Sequence, residues 1–125
     1  MTPRAWIAIG CVWAALGVGL GAFGAHALKA ALEGSGQLAN WDTAVRYQLV
    51  HALAVVVFGV FRERTNGKNL PAALFLSGSV LFSGSIYALC FGIWKPLMGP
   101  LTPLGGILLI AGWIAFARDA LRTRR

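Results

Sequence analysis

The sequence predicts an all-α membrane protein, built as one compact bundle of four transmembrane helices over residues 1–125. Of the 125 residues, 58% are hydrophobic and only 12% are charged, against an ordinary charged fraction of about 25%. The few charges also divide the chain into four long apolar runs. A soluble domain of this size has too much surface to hide so much apolar material, so the composition favours a chain that lies in lipid.

Each apolar run is long enough to cross a bilayer, which takes about 20 mostly apolar residues. The predicted helices cover about residues 5–28, 41–61, 70–94 and 102–118. The second reaches this length only if its polar first turn lies among the headgroups. The fourth is predicted to begin with Thr102 as its N-cap and Pro103 in its first turn, where the missing N–H costs nothing. Strands are excluded because the run 52–58 does not alternate in polarity as barrel strands do.

The distribution of Lys and Arg predicts a bacterial inner-membrane protein with both termini in the cytoplasm. The side of a membrane protein that is richer in these residues faces the cytoplasm. One side carries Arg4, Arg62, Arg64, Lys68, Arg118, Arg122, Arg124 and Arg125; the other carries Lys29, Arg46 and Lys95. Tryptophans are expected to form interfacial belts, with Trp41 and Trp94 at the outer surface and Trp6 and Trp113 near the inner one.

The first run has an alternative interpretation as a cleaved signal peptide. Arg4 precedes an apolar stretch, and Ala25-His26-Ala27 resembles a small-residue cleavage site. The apolar core runs for about 20 residues, longer than the 7–15 of a signal peptide. This length favours a spanning helix.

Small residues predict where the helices approach one another, because helices associate in lipid through close contact. The predicted packing positions are Gly17, Gly21, Gly78, Ser79, Ser83, Gly84, Gly105 and Gly106. The third run carries two Ser-Gly-Ser triplets six residues apart, which place small residues around most of the helix. We expect this helix to be central, with serines that bond to their own preceding turn; a hydrophilic path or bonds between helices are the alternatives.

Polar side chains in the first two runs predict a pocket that opens outward between the first and second helices. Its predicted members are His26, Asp42, Arg46, Tyr47, Gln48 and His51. Asp42 and Arg46 stand four residues apart and can pair. His51 lies about 15 Å below Trp41, which is mid-membrane. Polar groups at that depth are costly and are functional candidates by default.

Three interpretations of this pocket stay open. The first is a hydrogen-bond network in a non-enzymatic bundle that self-associates or serves as an accessory subunit of a larger membrane complex. The second is a minimal proton or small-solute transporter or channel that uses Arg46, Tyr47 and His51. The third is a lipid- or quinone-binding protein.

Catalytic, metal-binding and nucleic-acid-binding roles find no support in the sequence. No catalytic motif is present, so no catalytic residue is proposed. His26 and His51 differ in expected depth by roughly 10–15 Å, too far to share a metal ion or haem, and we expect neither a metal nor a cofactor. The basic C-terminal segment, Arg118 to Arg125, is better explained as a topology signal or a contact with anionic lipid than as a nucleic-acid site. Membrane lipids are therefore the expected partners.

Four blocks of sequence, in order, resemble one family of small membrane proteins. They are Gly21–His26, a second block from Trp41 to Leu53, a third from Leu81 to Tyr87 and a fourth from Thr102 to Trp113. The family includes YgdD-type bacterial inner-membrane proteins and eukaryotic transmembrane-protein-256-like proteins, and is filed as domain of unknown function 423. The resemblance implies four spans without an assigned activity, so no catalytic or binding residue is carried over. It also implies that Tyr87 belongs with His26, Tyr47, Gln48 and His51 in a recurring arrangement.

Overall fold

Every regular element of the chain is a helix in the computed structural model, which describes residues 1–123. The helices are α1 (Pro3–Ala25), α2 (Lys29–Gly34), α3 (Leu38–Glu63), α4 (Leu70–Cys90) and α5 (Lys95–Arg122). All except the six-residue α2 are long and apolar enough to cross a membrane. The prediction of an all-α protein with four transmembrane helices is confirmed.

The spanning helices pack in the order in which they occur along the chain. The main contacts join α1 to α3, α3 to α4 and α4 to α5, while the short α2 touches α1 and α3. The expected central helix, α4, therefore shares the centre with α3, and α1 and α5 form the two flanks.

The predicted helix bounds needed correction at several helix ends, including the start of α3 at Leu38 and the end of α5 at Arg122. Helix α1 ends at Ala25 and α4 at Cys90, a few residues before the predicted ends at 28 and 94. Helix α5 begins at Lys95, not after Thr102 as predicted, and Pro100 and Pro103 lie inside it. Proline removes one main-chain donor and usually marks a helix boundary, which is why the sequence placed the start too late.

One end of the bundle holds the start of α1, the end of α5 and the loop between α3 and α4; we call it the terminal end. The Arg4 Nε lies 3.5 Å from the Glu63 Oε1, and the Asn69 side-chain amide donates to the Met1 carbonyl at 2.9 Å. These contacts, together with the one cavity that Arg62, Lys68, Arg118 and Arg122 line, place the basic residues predicted for one side together, except that Arg124 and Arg125 lie outside the described residues. That this end faces the cytoplasm remains a prediction.

The core has two clusters, one toward each end of the bundle. Trp6, Val55, Phe58 and Phe75 belong to the cluster nearer the terminal end. The other contains Leu32, Trp41, Ala44, Ile86 and Cys90. Because Leu32 is almost fully buried, the short α2 closes the bundle at the end opposite the termini.

Glycines allow the helices to approach closely in two seams. In the α1–α3 seam, a Cβ on Gly17 would lie 2.9 Å from the Leu49 side chain and one on Gly21 would lie 3.2 Å from Val45. In the α4–α5 seam, a Cβ on Gly105 would lie 2.4 Å from the Phe82 main-chain nitrogen. The neighbour of Gly105 is main chain and cannot shift alone, so that position requires glycine, whereas the neighbours of Gly17 and Gly21 are side-chain ends that can move.

The remaining predicted packing glycines have different surroundings. A Cβ on Gly78 would lie 2.9 Å from the Leu109 nitrogen, within the same α4–α5 seam. A Cβ on Gly106 would make only ordinary contact with the Phe82 ring, and one on Gly84 would meet nothing within 4 Å. Among the described residues, Gly84 therefore faces open space and is not needed for close helix packing.

Candidate functional site

Gln48 on α3 is bonded to both neighbouring helices. Its side chain is completely buried, flanked one turn away on either side by Ala44 and Ala52, which are equally buried. The Gln48 Nε2 donates to the Trp13 carbonyl of α1 at 3.0 Å, and the Tyr87 hydroxyl of α4 donates to the Gln48 Oε1 at 2.7 Å. The small neighbours let α1 and α4 come close enough for one amide to reach both.

His51 lies one turn further along α3 and has both ring nitrogens engaged. Its Nδ1 lies 2.7 Å from the Tyr47 carbonyl, and the Trp113 Nε1 donates to its Nε2 at 3.1 Å. An indole N–H can only donate, so Nε2 must be the acceptor and the proton must be on Nδ1. The contacts thus select the neutral Nδ1–H tautomer, which links α3 to α5.

The serines of α4 bond mainly to other helices. Ser77 alone of the four follows the expected pattern fully, with its hydroxyl donating to the Ala73 carbonyl at 2.6 Å. The interhelical partners are the Trp13 indole for Ser79 (2.8 Å), the Ala44 carbonyl for Ser83 (2.7 Å) and the Thr102 hydroxyl for Ser85 (2.5 Å). Ser85 also donates within its own helix, to the Phe82 carbonyl. We call these interhelical bonds, together with those of Gln48 and His51, the polar network.

Several residues of the predicted pocket lie outside the polar network. His26 is exposed just beyond the end of α1, and Asp42 and Arg46 are exposed on α3. Asp42 and Arg46 form no ion pair; the ion pairs formed within residues 1–123 are Arg4–Glu63 and Arg118–Asp119. Tyr47 contributes its carbonyl to the network, while its ring lies half exposed against the Phe82 ring.

The cavity nearest His51 lies between α3 and α5, not between the first two spanning helices as expected. The contacts of Gly17 and Gly21 fill the α1–α3 seam. The cavity has a volume of about 460 Å³ and mostly apolar walls, with Arg46 on its lining and His51 and Trp113 beside it. It opens on the flank of the bundle, where lipid would lie.

Three tryptophans belong to the site or lie beside it, although the sequence did not predict them there. Trp13 and Trp113 donate to the polar network. Trp41, expected in an outer belt, is buried in the bundle and its indole donates to the Leu20 carbonyl at 2.9 Å. A Cβ on Gly24 would lie 2.5 Å from the Trp41 ring. The usable signal was chemical: a buried indole N–H usually has an acceptor, and Gly24 supplies the space.

The potential metal ligands and the two cysteines of the described residues are spread apart. Within residues 1–123, no three His, Cys, Asp or Glu side chains are grouped as metal ligands would be. Cys11 is exposed on α1, Cys90 is buried on α4, and the two are free thiols. The arrangement is chemically a set of paired donors and acceptors that hold four helices together.

Comparison with known proteins agrees with the sequence resemblance. Residues 20–106 match the family described as "Protein of unknown function (DUF423)". A UPF0382 membrane protein of Staphylococcus haemolyticus is 38% identical over 112 residues, which are 89% of this chain and 90% of that protein. YwdK, a UPF0382 membrane protein of Bacillus subtilis, is 36% identical over 122 residues, covering 95% and 98% of the two chains.

The similarity extends beyond bacteria. A UPF0382 membrane protein of Schizosaccharomyces pombe is 38% identical over 103 residues, 78% of this chain and 86% of that protein. No solved structure matches. The residues that match the family include all of α3 and α4, and hence most of the polar network. The chain therefore belongs to the DUF423 family and is similar over most of its length to UPF0382 membrane proteins.

Proposed function

We propose that the protein is a non-enzymatic membrane bundle that acts through its lipid-facing surface, as a self-associating unit or as an accessory subunit of a larger complex. The observation that carries this proposal is the polar network. Gln48, His51 and Tyr87 use their polar atoms to bond α3 to its neighbours. Groups that are already paired at mid-membrane hold the helices in place and are not available to a substrate.

The flanking helix α1 is the surface we propose for association. Only 17% of its apolar span is buried inside the bundle, compared with 44% for α3. Its exposed face includes the small residues Ala8, Cys11, Ala15 and Ala22. Small side chains let a second helix approach closely in lipid, and the glycine face of α1 is already used against α3.

Cysteine cross-linking in native membranes tests this proposal. Cys11 is exposed on the proposed face and Cys90 is buried, so a short bis-maleimide should join two chains through Cys11. We expect a product of twice the chain mass that is lost in Cys11→Ala and kept in Cys90→Ala. A cross-linked product between Cys11 and a different protein would favour the role of an accessory subunit.

Native mass spectrometry from a gentle detergent provides the second readout. A single copy per particle, together with no Cys11-dependent product of either kind, would contradict association through α1. A proton or solute flux in proteoliposomes, lost on His51→Phe, would instead support the transporter interpretation. Such a flux would require the Trp113 indole to release the His51 Nε2, because that nitrogen is occupied.

A lipid or quinone ligand is a second candidate, favoured by the cavity between α3 and α5. Its volume of about 460 Å³ lies within the range of roughly 300–1,000 Å³ usual for small-molecule sites. We expect Ile110→Trp, which fills the cavity, to reduce any small molecule retained in native mass spectrometry. Ile107→Trp is the matched control, because Ile107 is exposed on the same helix and does not line the cavity.

A further inference from the structure

A second cavity lies at the terminal end, far from the polar network. Its volume is about 410 Å³, and it is bounded by the end of α3, the following loop and the last turns of α5. Four of its lining residues are cationic, Arg62, Lys68, Arg118 and Arg122, and Asp119 is its one carboxylate. The lining therefore carries a net charge of +3. We call this the basic cavity.

Most of this positive charge has no internal counter-charge among the described residues. The ion pairs within residues 1–123 involve Arg118, at 3.6 Å from its chain neighbour Asp119, and Arg4, which lies outside the cavity. Arg62, Lys68 and Arg122 thus line one space and form no ion pair with a carboxylate of residues 1–123, because the one carboxylate of the cavity, Asp119, lies beside Arg118. Like charges at short range repel more strongly near lipid than in water, so the cluster favours an anion between them.

The helix ends do not remove this preference. Both α3 and α5 reach the basic cavity by their C-termini, where the macrodipole contributes about half a negative charge each. The net +3 of the side chains exceeds that contribution by about two charges. A phosphate group, with one or two negative charges, is therefore a good electrostatic match.

Arg62 is held in position by the loop that forms the cavity. Its Nη1 donates to the Thr65 carbonyl at 2.5 Å and its Nε donates to the Asn69 Oδ1 at 3.4 Å. Asn69 is in turn fixed by its bond to the Met1 carbonyl. These bonds orient the guanidinium and leave Nη2 for a ligand. A positioned arginine loses little freedom on binding, and its planar donors suit a phosphate.

We infer that the basic cavity binds a phosphate-bearing anion, either the headgroup of an anionic phospholipid or free phosphate. The enrichment of Lys and Arg on the cytoplasmic side of membrane proteins explains why cations collect at one end. It does not explain why four of them line one cavity with a loop that orients Arg62. The half-buried Phe61 also lines the cavity, so apolar surface adjoins the charges, as a headgroup with attached chains requires.

Two variants with equal loss of charge test the site. Lys68→Gln with Arg122→Gln removes two cations from the basic cavity, and both residues are exposed, so the fold should be unaffected. Arg4→Gln with Arg64→Gln removes two cations from the same end outside the cavity. Circular dichroism of each variant confirms that the helices are retained.

The lipid arm uses the full chain reconstituted in vesicles of phosphatidylglycerol mixed with an excess of phosphatidylcholine, followed by native mass spectrometry. We expect the wild type to retain phosphatidylglycerol preferentially. The cavity variant should lose about 25-fold in that preference, since each of the two cations near an anionic headgroup contributes about fivefold. The control variant should match the wild type.

The phosphate arm titrates inorganic phosphate into the detergent-solubilised, lipid-free protein. Binding that depends on Lys68 and Arg122, without retention of phosphatidylglycerol, would identify free phosphate as the ligand. Retention of the lipid without phosphate binding would identify the headgroup with its chains. An equal loss in the two variants, or no binding of either probe by the wild type, would overturn the inference.

Discussion

The polar network and the basic cavity differ in whether their polar groups are paired within the protein. At mid-membrane, Gln48 and His51 find donors and acceptors on neighbouring helices. At the terminal end, Arg62, Lys68 and Arg122 converge with little internal counter-charge. An unsatisfied polar group is most costly where neither water nor headgroups can reach it. Polar groups inside the bundle must therefore be paired with one another. Cations at the membrane surface can remain unpaired within the protein and bind an external anion.

The largest effect should come from breaking the α4–α5 seam with Gly105→Val. A Cβ at Gly105 would lie 2.4 Å from the Phe82 nitrogen and 2.8 Å from the Gly78 carbonyl oxygen, and neither main-chain atom can move alone. We expect the free energy of unfolding to fall by about 3 kcal/mol, measured by circular dichroism as SDS replaces a mild detergent. Gly84→Ala, which meets nothing within 4 Å, should leave it unchanged; equal losses would contradict the seam.

Removing the Gln48 amide should have the next largest effect. Gln48→Leu breaks its bonds to Trp13 and Tyr87 and leaves the Tyr87 hydroxyl unpaired, for a loss of about 2 kcal/mol in the same unfolding assay. In Gln48→Leu with Tyr87→Phe, no hydroxyl is stranded, so the double variant should lose less than the sum of the single losses. Strict additivity would show that the Gln48–Tyr87 bond does not contribute.

The bond between His51 and Trp113 should contribute less. We expect His51→Phe to lower the free energy of unfolding by about 1 kcal/mol, because an average side-chain bond between membrane helices contributes only about 0.6 kcal/mol. Nitrogen NMR of the imidazole in the folded wild type should show a protonated Nδ1 and an unprotonated Nε2. The reverse tautomer would contradict the orientation of the Trp113 bond.

The smallest effect should come from the surface ion pair at the terminal end. Glu63→Gln removes the partner of Arg4, whose side chain is 91% exposed. Exposed ion pairs contribute about 0–1 kcal/mol, so the SDS unfolding midpoint should hardly move. A loss as large as that of Gln48→Leu would mean that the contrast between the two regions is misplaced.

The sequence predicted the four spans well because charge and hydropathy vary along the chain on the scale of a bilayer. The sequence did not predict which neighbouring helix the polar side chains of α3 contact. The pocket of His51 was expected beside α1, yet Trp113 of α5 is its partner. Helices that are apolar on every side give no pattern that orients them, so facing depends on packing details such as Gly17 against Leu49.

Local signals were also misinterpreted where two principles compete. Thr102 and Pro103 indicated a late start for the fourth helix, but α5 begins at Lys95 and continues through Pro100 and Pro103. A transmembrane helix tolerates proline when neighbouring groups satisfy the freed carbonyls. Ser83 and Ser85 were expected to bond within α4, but the close approach of α3 and α5 brought the Ala44 carbonyl and the Thr102 hydroxyl within reach. Such proximity is a property of the fold, not of the local sequence.

The order of helix packing bears on how the chain enters the membrane during synthesis. Each spanning helix packs mainly against the spanning helices next to it in chain order, so α1 waits only for α3, and α5 closes the bundle last. Chains with short-range contacts assemble quickly, and an N-terminal part can fold while the rest is still being made. Bonds that skip a helix, such as Trp13 to Ser79 and His51 to Trp113, would then form late and secure an arrangement that is already in place.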